Sequence, residues 1–121
     1  MLQGILHLIG DYLLQNDWMA ENKGKYTAKG YMACLVHCAL YTLPFALVYH
    51  SLHVEIIVFL SHFLIDKYKL ATYWIRLKNW YWSGDNFGYA DDKPKWMSVW
   101  LLIIVDNTLH LICNYVAIAT M

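Results

Sequence analysis

The apolar residues of this chain are gathered into runs of membrane-spanning length, which restricts its possible folds more than any other feature. The clearest run is WMSVWLLIIVDNTLHLICNYVAIATM, and the next two are GYMACLVHCALYTLPFALVYH and VEIIVFLSHFLIDKYKLATYWI. A helix of about 20 apolar residues crosses the hydrocarbon core of a bilayer. Because 60% of the residues are hydrophobic and only 15% are charged, the sequence predicts an all-α integral membrane protein.

These runs predict four helices within a single membrane domain that covers residues 1–121. The predicted helices comprise residues 2–19, 27–49, 54–77 and 94–120. Between the last two helices lies a polar loop, residues 78–93, whose tryptophans and tyrosines suit the membrane interface. These aromatic side chains would either anchor the helices at the interface or form a lid over a site.

The basic residues indicate how the helices are oriented. Lysines and arginines lie between the first two helices and around the loop at 78–93, whereas the second turn and both ends of the chain have none. By the positive-inside rule, the two basic connections are cytoplasmic. The prediction is an antiparallel four-helix bundle with both termini on the same, non-cytoplasmic side. A formal net charge of zero gives no indication of nucleic-acid binding; the expected partner is membrane lipid, and a homo-oligomer is left open.

Histidine and aspartate recur four residues apart inside the apolar helices. The pairs are His7 with Asp11, His62 with Asp66 and, in reversed order, Asp106 with His110. Four residues make just over one helical turn, so the two members of a pair lie on one face of their helix.

The reversed order of the third pair is what a helix running in the opposite direction requires. The aspartates lie 10 to 12 residues, and the histidines 14 to 16 residues, from the nearest basic boundary residue, which is Lys23, Arg76 or Lys95. At about 1.5 Å per residue, each set therefore occupies one level that is about 3 Å deep. The second helix contributes His37 and, one turn away, Tyr41 to the same region.

Carboxylates inside a membrane are rare and energetically unfavourable, so they indicate function by default. Three of them close together repel one another unless they are protonated or neutralised. One or two divalent transition-metal ions (Zn, Fe or Mn) would neutralise them with ligands of suitable hardness, as in carboxylate centres inside helix bundles. The predicted metal ligands are His7, Asp11, His62, Asp66, Asp106 and His110.

A metal-bound water becomes a nucleophile near neutral pH, which makes a metal-dependent hydrolase the first hypothesis. His37 and Tyr41 are the predicted catalytic residues: His37 as an acid/base or further ligand, and Tyr41 to polarise a carbonyl or phosphoryl oxygen. A site within the membrane and under an aromatic loop suits a lipid, lipid-linked or phosphoester substrate.

Two alternatives use the same residues without catalysis. The pairs would serve as hydrogen-bonded contacts that hold helices together in lipid, or as a relay for protons or ions. Under these alternatives the chain would be a non-enzymatic membrane protein: either an oligomeric proton or ion conduit, or a small phage-type effector that acts on host membrane partners.

Four segments carry a resemblance to a known family: HLIGDYLLQNDWMAENK (7–23), VHCALYT (36–42), SHFLIDKYKL (61–70) and DNTLHL (106–111). The chain resembles a family of small bacterial and phage membrane proteins classified as a domain of unknown function. It is more remotely similar to membrane-bound metal-dependent hydrolases, which implies a multi-pass protein of the bacterial inner membrane. Gly10 and Gln15 also match the first motif. We expect Gly10 to allow close helix approach and Gln15 to hydrogen-bond a ligand.

Overall fold

The computed structural model describes residues 1–121 and contains only helices. The six α-helices are α1 (Leu2–Leu8), α2 (Asp17–Asn22), α3 (Ala28–Tyr49), α4 (Leu52–Lys67), α5 (Leu70–Asn79) and α6 (Lys95–Ala119). Helix α1 continues into a π turn, Ile9–Leu13, in which the Leu14 N–H donates to the Ile9 carbonyl at 3.0 Å. The predicted all-α class is confirmed.

Two helices, not four, are long and apolar enough to cross a membrane. They are α3, with 22 residues, and α6, with 25 residues. Their bounds differ by only one residue at each end, or less, from the predicted ranges 27–49 and 94–120. The other two predicted helices, 2–19 and 54–77, are each divided into shorter pieces.

The first division lies between Leu13 and Asp17. Asn16 adopts an extended backbone, and its side chain accepts a hydrogen bond from the Met19 N–H at 2.9 Å. Asparagine is a preferred N-cap because its side chain satisfies a free backbone N–H in the first helical turn. A new helix, α2, therefore begins where the sequence pattern predicted the first helix to continue.

The second division lies at Tyr68 and Lys69, between α4 and α5. Lys69 has a left-handed backbone, with φ 52°. The preceding Lys67 is fully buried, and its ammonium group donates to the carbonyls of Lys23 and Lys25 and lies 3.9 Å from the ring centre of Tyr31. These contacts tie the end of α4 to the connection between α2 and α3, and the chain changes direction there.

Helix α3 packs against α1, α2, α4 and the π turn, while α6 packs against α1, α4 and α5. Helix α3 turns into α4 through His50 and Ser51, and it is continuous through Pro44. A small apolar core lies among α1, α3, α4 and α6; its buried members are Leu6, Tyr41, Phe45, Val54, Val58 and Ala117.

Polar side chains are buried beside the apolar core, while many large apolar side chains are exposed. Four histidines from four different helices are at most 1% exposed: His7, His37, His62 and His110. By contrast, only 17% of the most apolar stretch of α6 is buried. Buried polar groups and an exposed apolar helix surface are both compatible with helices in lipid.

Candidate metal centre

Four side chains, which we call the ligand cluster, bring one potential metal-binding atom each to a common point: Asp11, His37, His62 and Asp66. Asp11 comes from the π turn, His37 from α3, and His62 and Asp66 from successive turns of α4. The four atoms all lie within 4.8 Å of one another. Three separate segments of the chain thus converge on one point.

The distances within the ligand cluster match those of a small coordination shell. His37 Nε2 lies 3.2 Å from Asp11 Oδ1 and 3.2 Å from Asp66 Oδ2, and His62 Nε2 lies 3.3 Å and 3.2 Å from the same two oxygens. The two nitrogens are 2.8 Å apart. In a tetrahedral site with metal–ligand bonds of about 2.0–2.1 Å, neighbouring ligand atoms are about 3.3 Å apart. The cluster is therefore of the right size for one such ion.

Several atoms of the cluster have no hydrogen-bond partner, although they are buried. Asp11 Oδ1 accepts no hydrogen bond, and the Nδ1 atoms of His37 and His62 have no partner either. The two facing Nε2 atoms can share only one proton. Because buried polar atoms are normally satisfied, the Asp11 oxygen calls for a further group at the centre of the cluster, which the two Nε2 atoms also face, whereas the Nδ1 atoms are the other nitrogens of the two rings. A cation would interact with both nitrogens and with the Asp11 oxygen.

A second potential metal-binding group lies beside the first and contains Asp11, Asp106 and His110. His110 Nε2 lies 3.4 Å from Asp106 Oδ2 and 3.0 Å from Asp66 Oδ1. Asp11 is common to both groups, and Asp66 faces one group with each of its oxygens. Shared carboxylates are how bundle proteins hold two metal ions next to each other.

His7, one of the six predicted ligands, belongs to neither group. It is part of a second set of buried side chains, which we call the polar network: His7, Tyr41, Asn107 and Asn114. The Asn114 amide donates to the Tyr41 hydroxyl at 2.7 Å, and that hydroxyl lies 2.6 Å from His7 Nδ1. His7 Nε2 lies 2.9 Å from the Asn107 oxygen. Both ring nitrogens are therefore occupied, and the nearest cluster oxygen, on Asp11, is 3.7 Å away.

Tyr41, which the sequence suggested as a catalytic residue, is fully buried. Its hydroxyl is engaged by His7 and Asn114, and its ring stacks on His62 with 3.7 Å between ring centres. Gly10 has the close approach expected of it, because a Cβ there would lie 2.5 Å from the Tyr41 ring. Tyr41 thus supports a ligand from behind. Gln15, expected to hydrogen-bond a ligand, has an Oε1 atom without a partner.

Lys23 is a site residue that sequence analysis treated only as a marker of orientation. Its ammonium group lies 2.8 Å from Asp66 Oδ2. Burial lowers the pKa of Lys23, but the Asp66 carboxylate raises it by more, so the net pKa lies above the ordinary value. Lys23 thus stays charged and neutralises part of the carboxylate charge. Lys23 and Asp66 are 43 positions apart in the sequence, so no local sequence pattern indicates that they form a pair.

A cavity of about 800 Å³ gives access to the centre. Its wall contains four acidic residues, Glu21, Asp66, Asp85 and Asp106, and four basic residues, Lys23, Lys25, Lys69 and Arg76. Phe87, from the loop between α5 and α6, also lines it. The cavity is large enough for a small substrate to contact both the acidic and the basic side chains.

One comparison with known proteins identifies a family. The model of a family described as "Protein of unknown function (DUF3307)" matches residues 1–121, and the chain belongs to that family. No curated protein and no solved structure matches the chain. The resemblance to a family of unknown function is confirmed over the whole chain, and the likeness to metal-dependent hydrolases stays a prediction.

Proposed function

We propose that this member of the DUF3307 family is an integral-membrane metal-binding protein that hydrolyses a lipid, lipid-linked or phosphoester substrate. The observation that carries the proposal is the convergence of Asp11, His37, His62 and Asp66, with 2.8 to 3.3 Å between their contacting atoms. A carboxylate oxygen without a hydrogen-bond partner, next to two Nε2 atoms that face each other, is more economically explained by a bound cation than by packing.

The donor set of two imidazoles and two carboxylates suits Zn, Fe or Mn. One ion would occupy the ligand cluster, and a second would bind to Asp11, Asp106 and His110. Such an ion supplies a water of lowered pKa as nucleophile. Asp106 is the most exposed of the three carboxylates, with 32% of its side chain accessible, and it lines the cavity. It is therefore the group placed to accept a proton from a water molecule in the cavity.

The membrane location and the antiparallel topology belong to the same proposal. Basic residues of the first connection, Lys23 and Lys25, and of the region after α4, Lys69 and Arg76, line one cavity. At the other end, His53 Nε2 lies 2.8 Å from the Thr120 hydroxyl, which brings the α3–α4 turn next to the C-terminus. The shared cavity and the His53–Thr120 contact both support a bundle whose basic connections lie on one side, as the positive-inside rule requires.

Metal analysis of the purified protein in detergent tests the proposal. We expect one or two transition-metal ions per chain in the wild type and none in a His37→Ala, His62→Ala double variant. His53→Ala is the matched control, because His53 lies on the same helix as His62 but outside the site, and it should retain the metal. Circular dichroism would verify the helix content of each variant. A folded wild-type protein that binds no metal would overturn the proposal.

A proton relay is the second candidate, and one observation favours it. His37, His62, Asp66 and His110 form a continuous series of titratable groups with contacts of 2.8 to 3.2 Å. Proton flux into liposomes that depends on Asp66, in protein without bound metal, would favour this function over hydrolysis.

A further inference from the structure

Three of the four basic residues in the cavity wall have no carboxylate partner. Lys23 is paired with Asp66, but Lys25, Lys69 and Arg76 lie beyond 4.0 Å from every carboxylate oxygen. The same wall holds four carboxylates, but none of them lies within 4.0 Å of these three cations, so the cations remain free to bind an anion that enters the cavity.

Arg76 is half-buried, and its guanidinium group makes no hydrogen bond within the protein. The loop after α5 packs directly on the backbone of Arg76: a Cβ on Gly88 would lie 2.7 Å from the backbone nitrogen of Arg76. Gly88 has φ 95° and the neighbouring Phe87 has φ 59°, so this contact depends on two left-handed residues in succession. Non-glycine residues are held in that region only where the surroundings impose it, often at functional sites.

Lys69 lies at the break between α4 and α5, and the backbone there fixes its position. Its left-handed backbone starts α5, and its side chain passes over Gly24, where a Cβ would lie 3.3 Å from the Lys69 Cε. Arg76 follows seven residues later, inside α5, and both residues line the same cavity. The break that divides the predicted helix 54–77 into α4 and α5 therefore affects the site, because Lys69 and Arg76 both come to line the cavity.

We propose that the substrate carries a phosphate-class group, and that Lys25, Lys69 and Arg76 bind it in the cavity beside the ligand cluster. The inference rests on the proposed function, whose substrate class it narrows. A phosphate group carries more than one negative charge and several acceptor oxygens, so it matches three cations better than a single carboxylate does. Arginine with a free guanidinium group binds such an anion through two parallel hydrogen bonds. Asp66 and Asp106 line the same cavity, so a group bound there would have its reacting bond near the metal ligands.

The test measures anion binding and metal content on the same purified protein in detergent. Inorganic phosphate is titrated calorimetrically into the wild type, into a Lys69→Gln, Arg76→Gln double variant and into a Lys29→Gln, Lys78→Gln double variant. The last is the matched control, since it removes the same charge from outside the cavity wall. We expect phosphate binding to weaken by about a hundredfold or more in the first variant, because it loses two charged side chains and each charged hydrogen bond is worth about tenfold or more in affinity. The control should bind as the wild type does.

A short-chain phosphatidic acid, compared with the matching diacylglycerol, identifies the source of the phosphate group. Phosphatidic acid that binds more tightly than inorganic phosphate, and also depends on Arg76, would assign a lipid headgroup. Equal affinities would assign a water-soluble phosphate compound, and the diacylglycerol should not compete in either case.

The two readouts separate the two proposals. Metal-loaded wild type that binds no phosphate probe, or that binds it equally well in the Lys69→Gln, Arg76→Gln variant, would overturn the inference and leave the metal centre intact. If the wild type contains no metal but binds phosphate in a way that depends on Arg76, the proposed hydrolase function is wrong and the anion site stands.

Discussion

The ligand cluster and the polar network lie side by side in the interior, yet their hydrogen bonding differs completely. In the network, His7, Tyr41, Asn107 and Asn114 pair with one another at 2.6 to 2.9 Å, and both nitrogens of His7 are used. In the cluster, the contacts are 2.8 to 3.3 Å, the two Nε2 atoms face each other, and Asp11 Oδ1 has no hydrogen-bond partner. The difference teaches that burial and spacing alone do not identify a ligand, whereas potential metal-binding atoms that converge on one point without satisfying one another do.

The first prediction removes a carboxylate from the cluster. Asp66→Asn should abolish metal binding and leave the half-buried Lys23 ammonium without its partner. Breaking one member of a buried ion pair lowers the free energy of unfolding by about 3–5 kcal/mol. Chemical unfolding and metal analysis in detergent measure the two effects. Asp85→Asn breaks an exposed pair with Lys95 and serves as the control, in which solvent screening should leave both measurements close to the wild-type values.

The second prediction concerns metal removal. A ligand that binds only the folded state at 100 times its dissociation constant stabilises that state by about 2.7 kcal/mol. Treatment with a chelator should therefore lower the thermal midpoint of the wild type and of Tyr41→Phe. The His37→Ala, His62→Ala variant should not respond, and an equal decrease in that variant would mean that the chelator acts elsewhere.

The third prediction tests the contact that joins the two regions. Gly10→Ala places a methyl group 2.5 Å from the Tyr41 ring, and overpacking of this kind destabilises by about 1–3 kcal/mol. Gly4→Ala is the matched control on the same helix, since a Cβ there meets nothing within 4 Å. It should be neutral or slightly stabilising, because alanine favours helix more than glycine does. Similar losses in both variants would contradict the packing described for Gly10.

The fourth prediction affects the polar network alone. Tyr41→Phe keeps the ring against His62 but removes the hydroxyl shared by His7 and Asn114. Leaving buried partners unpaired should lower the free energy of unfolding by about 1–2 kcal/mol. Metal content should stay at the wild-type value, because Tyr41 contributes no ligand atom. Loss of metal in this variant would place the Tyr41 hydroxyl within the centre instead of behind it.

The same contrast explains how much of the molecule could be predicted from sequence. Helices α3 and α6 followed from apolar runs bounded by Thr27 and Pro94, which are local signals. The divisions at Asn16 and Lys69 were missed because the apolar pattern continues past both positions. Asn16 did carry a signal, since it is a good N-cap, but apolar periodicity outweighed it.

Within the site, Asp11, His62 and Asp66, which four-residue spacing indicated, lie close together in the structure. It could not distinguish His7 from His37, because their roles depend on which neighbours the helices bring to each ring. Lys23 was beyond prediction for the same reason, since its partner is 43 positions away. Spacing reports which face of a helix a residue occupies, whereas pairing is decided by the tertiary structure.

The π turn at Ile9–Leu13 has a genetic consequence. A π turn contains one residue more than an α turn, so it behaves as a single-residue insertion within a helix. Loss of one codon within residues 9–13 would restore an uninterrupted α-helix and rotate the residues before the turn by about 100° relative to the residues after it. His7 would then leave Tyr41, while Asp11 could keep its place among the ligands. The number of residues in this turn, more than the identity of any one of them, keeps the ligand cluster and the polar network aligned with each other.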